Sequence, residues 1–147
     1  MDKNEDVKSK DMEDIDFNIQ ILIVDNSYSM RRIINRFFEK KGFHHMLEAG
    51  NGIEALEMIQ TGNAVQLIVS DLNMPRMNGF ELLKIVKKDS RIKDIPFVIL
   101  TVEAIQTTMI KALDMGADSY IVKPVSEKMF MDEIFRVLRG RKKTTAD

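Results

Sequence analysis

Five polar residues stand at the ends of four short apolar runs, and together they could carry out chemistry. They are two carboxylates, an amide, a hydroxyl and an amine: Asp25, Asp71, Asn26, Thr101 and Lys123. Two carboxylates in one crevice repel each other unless a cation lies between them, and a hard divalent cation is the usual solution. The lysine would place a compact positive charge on a phosphoryl oxygen, and the hydroxyl would donate a hydrogen bond. The set predicts a Mg²⁺-assisted phosphoryl-transfer site.

These residues can meet only if the apolar runs form one sheet. Each run is short and rich in β-branched residues, which is typical of strands buried on both faces, and amphipathic stretches separate the runs. This alternation predicts an α/β domain with a parallel sheet, in which ligands collect beyond the carboxyl ends of the strands. The second run is the least apolar and suits an edge strand. The runs are Ile21–Val24, Met46–Leu47, Leu67–Val69, Phe97–Leu100 and Tyr120–Val122.

Helical periodicity fills the intervals between the runs. Two stretches place apolar residues on one helical face at i, i+3, i+4 spacing: Met30, Ile33, Ile34, Phe37 and Phe38 in the first, and Phe130, Ile134, Val137 and Leu138 in the last. Weaker patterns cover Ile53–Gln60, Phe80–Lys88 and Ala104–Asp114. Gly42 and Gly116 lie just past predicted helix ends, where a left-handed residue is favoured.

The amino-acid composition excludes several classes of protein and kinds of site. The 22 basic and 23 acidic residues nearly cancel, so no overall field favours nucleic acid or an anionic membrane. Cysteine is absent, which excludes disulfides, thiolate metal sites and cysteine nucleophiles. No apolar run approaches the roughly 20 residues of a membrane helix. We expect a cytoplasmic protein with a flexible charged tail at 1–18, one domain at 19–139 without a DNA-binding effector domain, and a basic tail at 140–147.

Four segments resemble the signature segments of response-regulator receiver domains, above all those of single-domain chemotaxis regulators: ILIVDN, SDLNMPRMNG, ILTVEA and SYIVKP. The similarity runs from about residue 19 to residue 138. It implies a flavodoxin-like, doubly wound fold with five parallel strands in the order 2-1-3-4-5 and helices on both faces.

The resemblance also assigns the metal and acceptor residues. It implies that Asp71 is the phosphoacceptor and that a sensor histidine kinase or a phosphotransfer protein supplies the phosphoryl group. Mg²⁺ would be held by Asp25, Asp71 and the backbone carbonyl of Asn73. Asn26 stands where most of the family has a second acidic ligand, and its amide oxygen would take that place. The Lys123–Pro124 peptide bond would be cis.

The resemblance further implies a switch. Thr101 and Lys123 would bind the phosphoryl oxygens, and Thr101 would report the phosphoryl group to Tyr120. Asn73 and Glu103 would flank the path of a hydrolytic water and favour a short-lived phosphoryl group. We expect Thr101 and Lys123 to lie at solvent-facing strand ends, outside the core.

The expected output is contact with an unknown protein target through the face formed by the fourth helix, fifth strand and fifth helix. Such a receiver phosphorylates and dephosphorylates itself and is not a stand-alone enzyme. We expect a monomer or weak dimer with no nucleic-acid or membrane partner. Because Asn26 replaces an acidic metal ligand, a phosphorylation-independent, receiver-like binding module is the alternative function. Ser27 argues against an aspartyl phosphatase, which needs a second acid there, and the loop lacks the residues of a flavin-phosphate cradle.

Overall fold

Five strands and five helices alternate along the part of the chain that the structure describes. The computed structural model describes residues 14–146, with side chains through residue 140. The strands are β1 (Gln20–Val24), β2 (His45–Ala49), β3 (Val65–Ser70), β4 (Phe97–Thr101) and β5 (Ser119–Val122). The helices are α1 (Tyr28–Lys40), α2 (Gly52–Gln60), α3 (Gly79–Lys88), α4 (Gln106–Asp114) and α5 (Glu127–Ala146). Among the described residues, no helix combines the length and the apolar character needed to span a membrane.

The strands form one sheet in the order β2-β1-β3-β4-β5, and every pairing is parallel. The predicted order 2-1-3-4-5 is confirmed. Strand β2 lies at one edge and only its last residue is buried, whereas all five residues of β4 are buried. The polarity of β2 therefore matches its place at the edge.

Two hydrophobic clusters cover the two faces of the sheet. Alternate residues of β1 belong to different clusters, because successive side chains on a strand point to opposite faces: Ile21 and Ile23 join one cluster, and Leu22 and Val24 join the other. The first cluster includes aromatic residues from α1 and α5, and the second includes the buried face of α3. Helices thus cover both faces, as predicted.

The buried face of α1 differs from the predicted one. Ile34 and Phe38 are buried, but Ile33 is 45% exposed, so its assignment to the core was wrong. Asn35 is buried instead, and its amide donates to Glu48 Oε2 at 3.2 Å. Relative to the predicted orientation, α1 is rotated so that Asn35 faces inward. This hydrogen bond satisfies the Asn35 amide, which would otherwise be costly to bury.

Parts of both predicted tails take part in the fold. Ile15 is 8% exposed, and the ring centroid of Phe17 lies 4.8 Å from that of Phe43. Ile15 and Phe17 therefore pack on the core, while 1–13 lie outside the described residues. At the other end, α5 continues to Ala146 through most of the predicted tail.

The glycine-terminated helix ends are confirmed. Gly42 and Gly116 have φ of +104° and +110°, the left-handed region that favours glycine. Helix α4 begins at Gln106, two residues later than the predicted start at Ala104.

Candidate functional site

The carboxyl edge of the sheet brings two buried carboxylates and one lysine together. Asp25 is 2% exposed and Asp71 is 8% exposed. The ammonium of Lys123 lies 2.9 Å from Asp25 Oδ2 and 3.5 Å from Asp71 Oδ2. The three charges sum to −1, so the cluster still favours a cation.

Hydrogen bonds between neighbouring strands place each member of this cluster. The Asp71 amide donates to the Val24 carbonyl at 2.9 Å, so this residue begins its loop beside the end of β1. The Asp25 amide donates to the Ala49 carbonyl at the end of β2, and the Lys123 amide donates to the Thr101 carbonyl at the end of β4. The Lys123–Pro124 peptide bond is cis, as predicted.

Backbone amides orient the two carboxylates. Asp25 Oδ1 accepts from the Ser27 amide at 2.8 Å, and Asp71 Oδ1 accepts from the amides of Leu72 and Asn73 at 2.7 and 3.4 Å. In both aspartates Oδ1 is thus held by the chain and Oδ2 faces the lysine. The two Oδ2 atoms are the oxygens available for an incoming group.

Gly79 lets the loop after β3 fold back against Asp71. A Cβ on Gly79 would lie 2.3 Å from the Asp71 carbonyl oxygen and 2.9 Å from Leu72 Cα. The Gly79 amide donates to the Leu72 carbonyl at 2.9 Å, and Asn78 caps α3 in a reciprocal capping box with Glu81. Glycine is required here for close approach between two backbone segments.

Thr101, Glu103 and Tyr120 form a second hydrogen-bonded group on the neighbouring strands. Thr101 Oγ1 accepts from the Glu103 amide at 3.3 Å, and the Tyr120 hydroxyl donates to the Glu103 carbonyl at 2.7 Å. Burial, and then the negative charges of Glu103 and Asp71, raise the pKa of the Tyr120 phenol above its usual value of 10.0. The hydroxyl of this tyrosine is therefore held protonated and linked to the loop before α4.

The expectation of solvent-facing strand ends was wrong for both residues concerned. Thr101 is fully buried, and the side chain of Lys123 is 11% exposed. A strand pattern alone does not indicate how deeply the end of a strand is buried.

The two remaining predicted ligands are exposed. Asn26 follows Asp25 at the mouth of the cluster, and Asn73 contributes its amide to Asp71. Within residues 14–140, no three His, Cys, Asp or Glu side chains are grouped to hold a metal. A metal here would draw on two carboxylates, an amide and a carbonyl. These are hard oxygen donors, a set that fits Mg²⁺, which usually keeps several water ligands.

The sequence reasoning missed Arg31, which supports the site from α1. Its Nη1 donates to the Asp25 carbonyl at 2.6 Å, and its Nε lies 3.1 Å from Glu48 Oε1. The same carboxylate also binds Arg32 at 2.6 Å, so Glu48 joins α1 to β2. Arg31 and Arg32 are adjacent on a helix that begins just after Asp25, and this position was a sequence sign of a role at the site. Nothing in the spacing indicated that a backbone carbonyl would be their target.

Comparison with known proteins decides the family. The model of the response regulator receiver domain matches residues 21–135, which span the sheet and all three charged residues of the cluster. The chain belongs to the response regulator receiver family. The receiver match begins at the second residue of β1 and ends inside α5, so it covers β2 through β5 and helices α1 to α4 in full.

Chemotaxis receivers are among the similar proteins. Chemotaxis protein CheY1 of Helicobacter pylori is 38% identical over 120 residues, covering 82% of this chain and 97% of that protein. Chemotaxis protein CheY-3 of Vibrio cholerae is 39% identical over 124 residues, covering 82% and 95%. The solved structure of chemotaxis response regulator CheY4 of Vibrio cholerae superposes with a TM-score of 0.75 at 32% identity, covering 82% of this chain and 99% of that one.

Proposed function

We propose that this receiver is a phosphorylation-operated switch in which Asp71 accepts a phosphoryl group from a sensor histidine kinase or a phosphotransfer protein. The observation that carries the proposal is the lysine ammonium shared between the Oδ2 atoms of Asp25 and Asp71. Such a cluster holds an acceptor carboxylate in place, and the cation beside it attracts an incoming phosphoryl group.

The bonds that form and break in the transfer lie between Asp71 and the donor. Asp71 Oδ2 attacks phosphorus and a P–O bond forms, while the P–N bond of a phosphohistidine breaks and its electron pair returns to the imidazole. The product is an acyl phosphate. Lys123 then exchanges its carboxylate contact for a phosphoryl oxygen, and Asp71 Oδ1 stays fixed by the amides of Leu72 and Asn73.

Receiver domains generally depend on Mg²⁺. Bound Mg²⁺ would supply neutralisation of the negative charge that gathers during transfer. We assign its ligands to Asp25, Asp71, the Asn73 carbonyl and, in place of a second acid, the Asn26 amide oxygen. The exposure of Asn26 at the mouth of the cluster is compatible with a ligand reached through water.

The switch runs from Thr101 to Tyr120. Phosphate on Asp71 would draw the Thr101 hydroxyl, whose oxygen now accepts from the Glu103 amide. Because Tyr120 donates to the carbonyl of the same Glu103, movement of that loop changes the position of the tyrosine. Asn73 and Glu103 would in addition set the rate of hydrolysis.

The output surface is the face formed by α4, β5 and α5, through which the receiver would contact a downstream protein. Exposed apolar side chains on and beside these helices support this assignment: Ile105, Ile110, Leu113 and Met129, all at least 44% exposed. The chemotaxis relatives make a chemotaxis pathway the preferred setting.

Beryllofluoride, which mimics a phosphoryl group, tests the switch by amide NMR. With Mg²⁺ present it should shift signals across α4 and β5 in the wild type, cause no change in Asp71→Asn, and cause much smaller shifts in Thr101→Ala. Equal shifts in wild type and Thr101→Ala would refute the coupling. Absence of shifts in the wild type would favour the phosphorylation-independent binding module.

A further inference from the structure

A groove between α3 and α4 carries positive charge that the proposed switch does not use. It encloses about 530 Å³ and is lined by Phe80, Glu81, Lys84, Lys87, Lys88, Lys111 and Met115. Four of the lining residues on α3 have the spacing i, i+4, i+7 and i+8 and so form one stripe along the helix: Phe80, Lys84, Lys87 and Lys88. Phe80 and Met115 are half-buried and supply an apolar floor.

Three of the four lysines have ammonium groups without an ion-pair partner among the described residues. Lys87 is the fourth: its ammonium donates to the carbonyls of Lys93 and Ile95 and forms an ion pair with Asp118 at 3.9 Å. Lys84 and Lys88 are exposed and in no salt bridge of residues 14–140, and Lys111 lies over the Phe80 ring at 4.6 Å. A cluster of unpaired like charges around an apolar floor favours an anionic partner.

Nearby acidic side chains neutralise the groove only in part. Glu81 is the one carboxylate of its lining, and Glu81 Oε1 accepts from the Asn78 amide at the start of α3. Asp118 Oδ2 lies 3.9 Å from the Lys87 ammonium, so the four lysines with Glu81 and Asp118 leave a local charge of about +2, whereas the whole chain has a formal charge of −1. The charge is therefore concentrated at this groove.

The groove is separate from the output surface although α4 contributes to both. Lys111 and Met115 are four residues apart and share one side of α4, and the exposed Ile110 and Leu113 point about 150° away from them at 100° per residue. Of all α4 residues only Ala112 is buried, so the helix has solvent-facing surface on both flanks.

We infer that the α3–α4 groove is a second docking surface, and that its occupant is an acidic peptide segment of a partner protein with an apolar anchor side chain. The anchor fills the space over Phe80 and Met115, and flanking carboxylates pair with Lys84, Lys88 and Lys111. An open groove between helices suits an extended or helical segment, and charge complementarity sets its polarity.

A probe peptide tests the inference with the full-length chain. The peptide has about twelve residues, with two leucines four positions apart among glutamates and aspartates. Amide NMR should show shifts confined to α3, α4 and their connecting loops. Lys84→Glu/Lys88→Glu should weaken binding at least about tenfold, since two favourable ion pairs become repulsive. The charge-matched control Arg36→Glu/Lys41→Glu, at exposed positions on and just after α1, should change it less than about twofold.

Four results would overturn the inference. They are no binding at millimolar peptide, shifts centred on β5 and α5, equal weakening by the control pair, and unchanged binding when both leucines are replaced by alanine. Concentration-dependent shifts of the same groove without peptide would assign it to a second copy of the chain, which also contradicts the proposal. Phosphorylation is not needed for any of these measurements, so they stand apart from the test of Asp71.

Discussion

At the scale of single residues, Lys123 has a structural task besides any role toward phosphate. Its ammonium compensates two carboxylates that are almost fully buried. Removal of one partner from a buried ion pair leaves an uncompensated charge and costs roughly 3 kcal/mol or more. Lys123 therefore contributes to the stability of the fold as well as to the site.

We predict that Lys123→Ala lowers the free energy of unfolding by about 3 kcal/mol without Mg²⁺, and that millimolar Mg²⁺ restores part of it. Urea titration followed by circular dichroism measures both effects. Lys128→Ala is the control, because its ion pair with Asp132 is exposed and such pairs contribute below about 1 kcal/mol. Equal destabilisation by the two substitutions would contradict a compensating role for Lys123.

Asn26 sets the strength of the proposed metal site. An added carboxylate about 4 Å from a cation is worth ~4 kcal/mol gross at an effective dielectric of ~20, and most of this is offset by desolvation of the ion. We expect Asn26→Asp to tighten Mg²⁺ binding about tenfold, a net change near 1 to 2 kcal/mol. Calorimetry measures the affinity. The same affinity before and after the change would mean that residue 26 is not a ligand.

The Tyr120 phenol should ionise only above its usual pKa of 10.0, because burial and two nearby carboxylates disfavour the phenolate. In Tyr28→Phe it is the one tyrosine left, so absorbance near 295 nm follows its ionisation alone. Because the pKa of the Tyr120 phenol is raised by folding, its protonated form stabilises the fold. This stabilisation is complete below the unfolded-state pKa and is lost as pH rises through the folded-state pKa. Glu103→Gln should move the midpoint down. A midpoint at or below 10.0 in the parent variant would contradict this environment.

At the scale of elements, Gly79 determines how closely α3 approaches the acceptor loop. Gly79→Ala would place a methyl group against the Asp71 carbonyl, and backbone cannot give way as a side chain would. We predict a loss of about 2 kcal/mol or more in unfolding free energy. Gly140→Ala is the opposite case: a Cβ added there, within α5, would meet nothing within 4 Å beyond the adjoining backbone of its own helix, and the substitution should stabilise by about 0.5 to 1 kcal/mol. Thermal unfolding measures both, and tolerance of Gly79→Ala would refute the close contact.

The elements were predictable because each strand carries a continuous apolar run between polar loops. The pattern was less informative where contacts are distant in sequence. Ile33 matched the apolar stripe of α1 but is exposed, since Asn35 turns inward to reach Glu48 on β2. Likewise, Phe17 lies in a charged segment and still packs on Phe43. Hydrophobic periodicity indicates which face of one helix or strand is buried, but it does not indicate which residues of other elements contact that face.

At the scale of the whole molecule, the parallel sheet is what assembles the candidate site. Asp25, Asp71 and Lys123 are up to 98 residues apart in sequence, and they meet because the carboxyl ends of β1, β3 and β5 lie at one edge. Residue types at strand ends therefore predicted the membership of the cluster. They did not predict the burial of Thr101 or the support from Arg31, because both depend on contacts with parts of the chain outside that strand end.

The central claim is that Asp71 accepts the phosphoryl group. Intact-protein mass spectrometry after incubation with acetyl phosphate and Mg²⁺ tests it most directly. We expect one added phosphoryl group in the wild type, loss of the modification on chelation of the metal, and no modification in Asp71→Asn. The same added mass in Asp71→Asn, or none in the wild type with saturating Mg²⁺, would contradict the account.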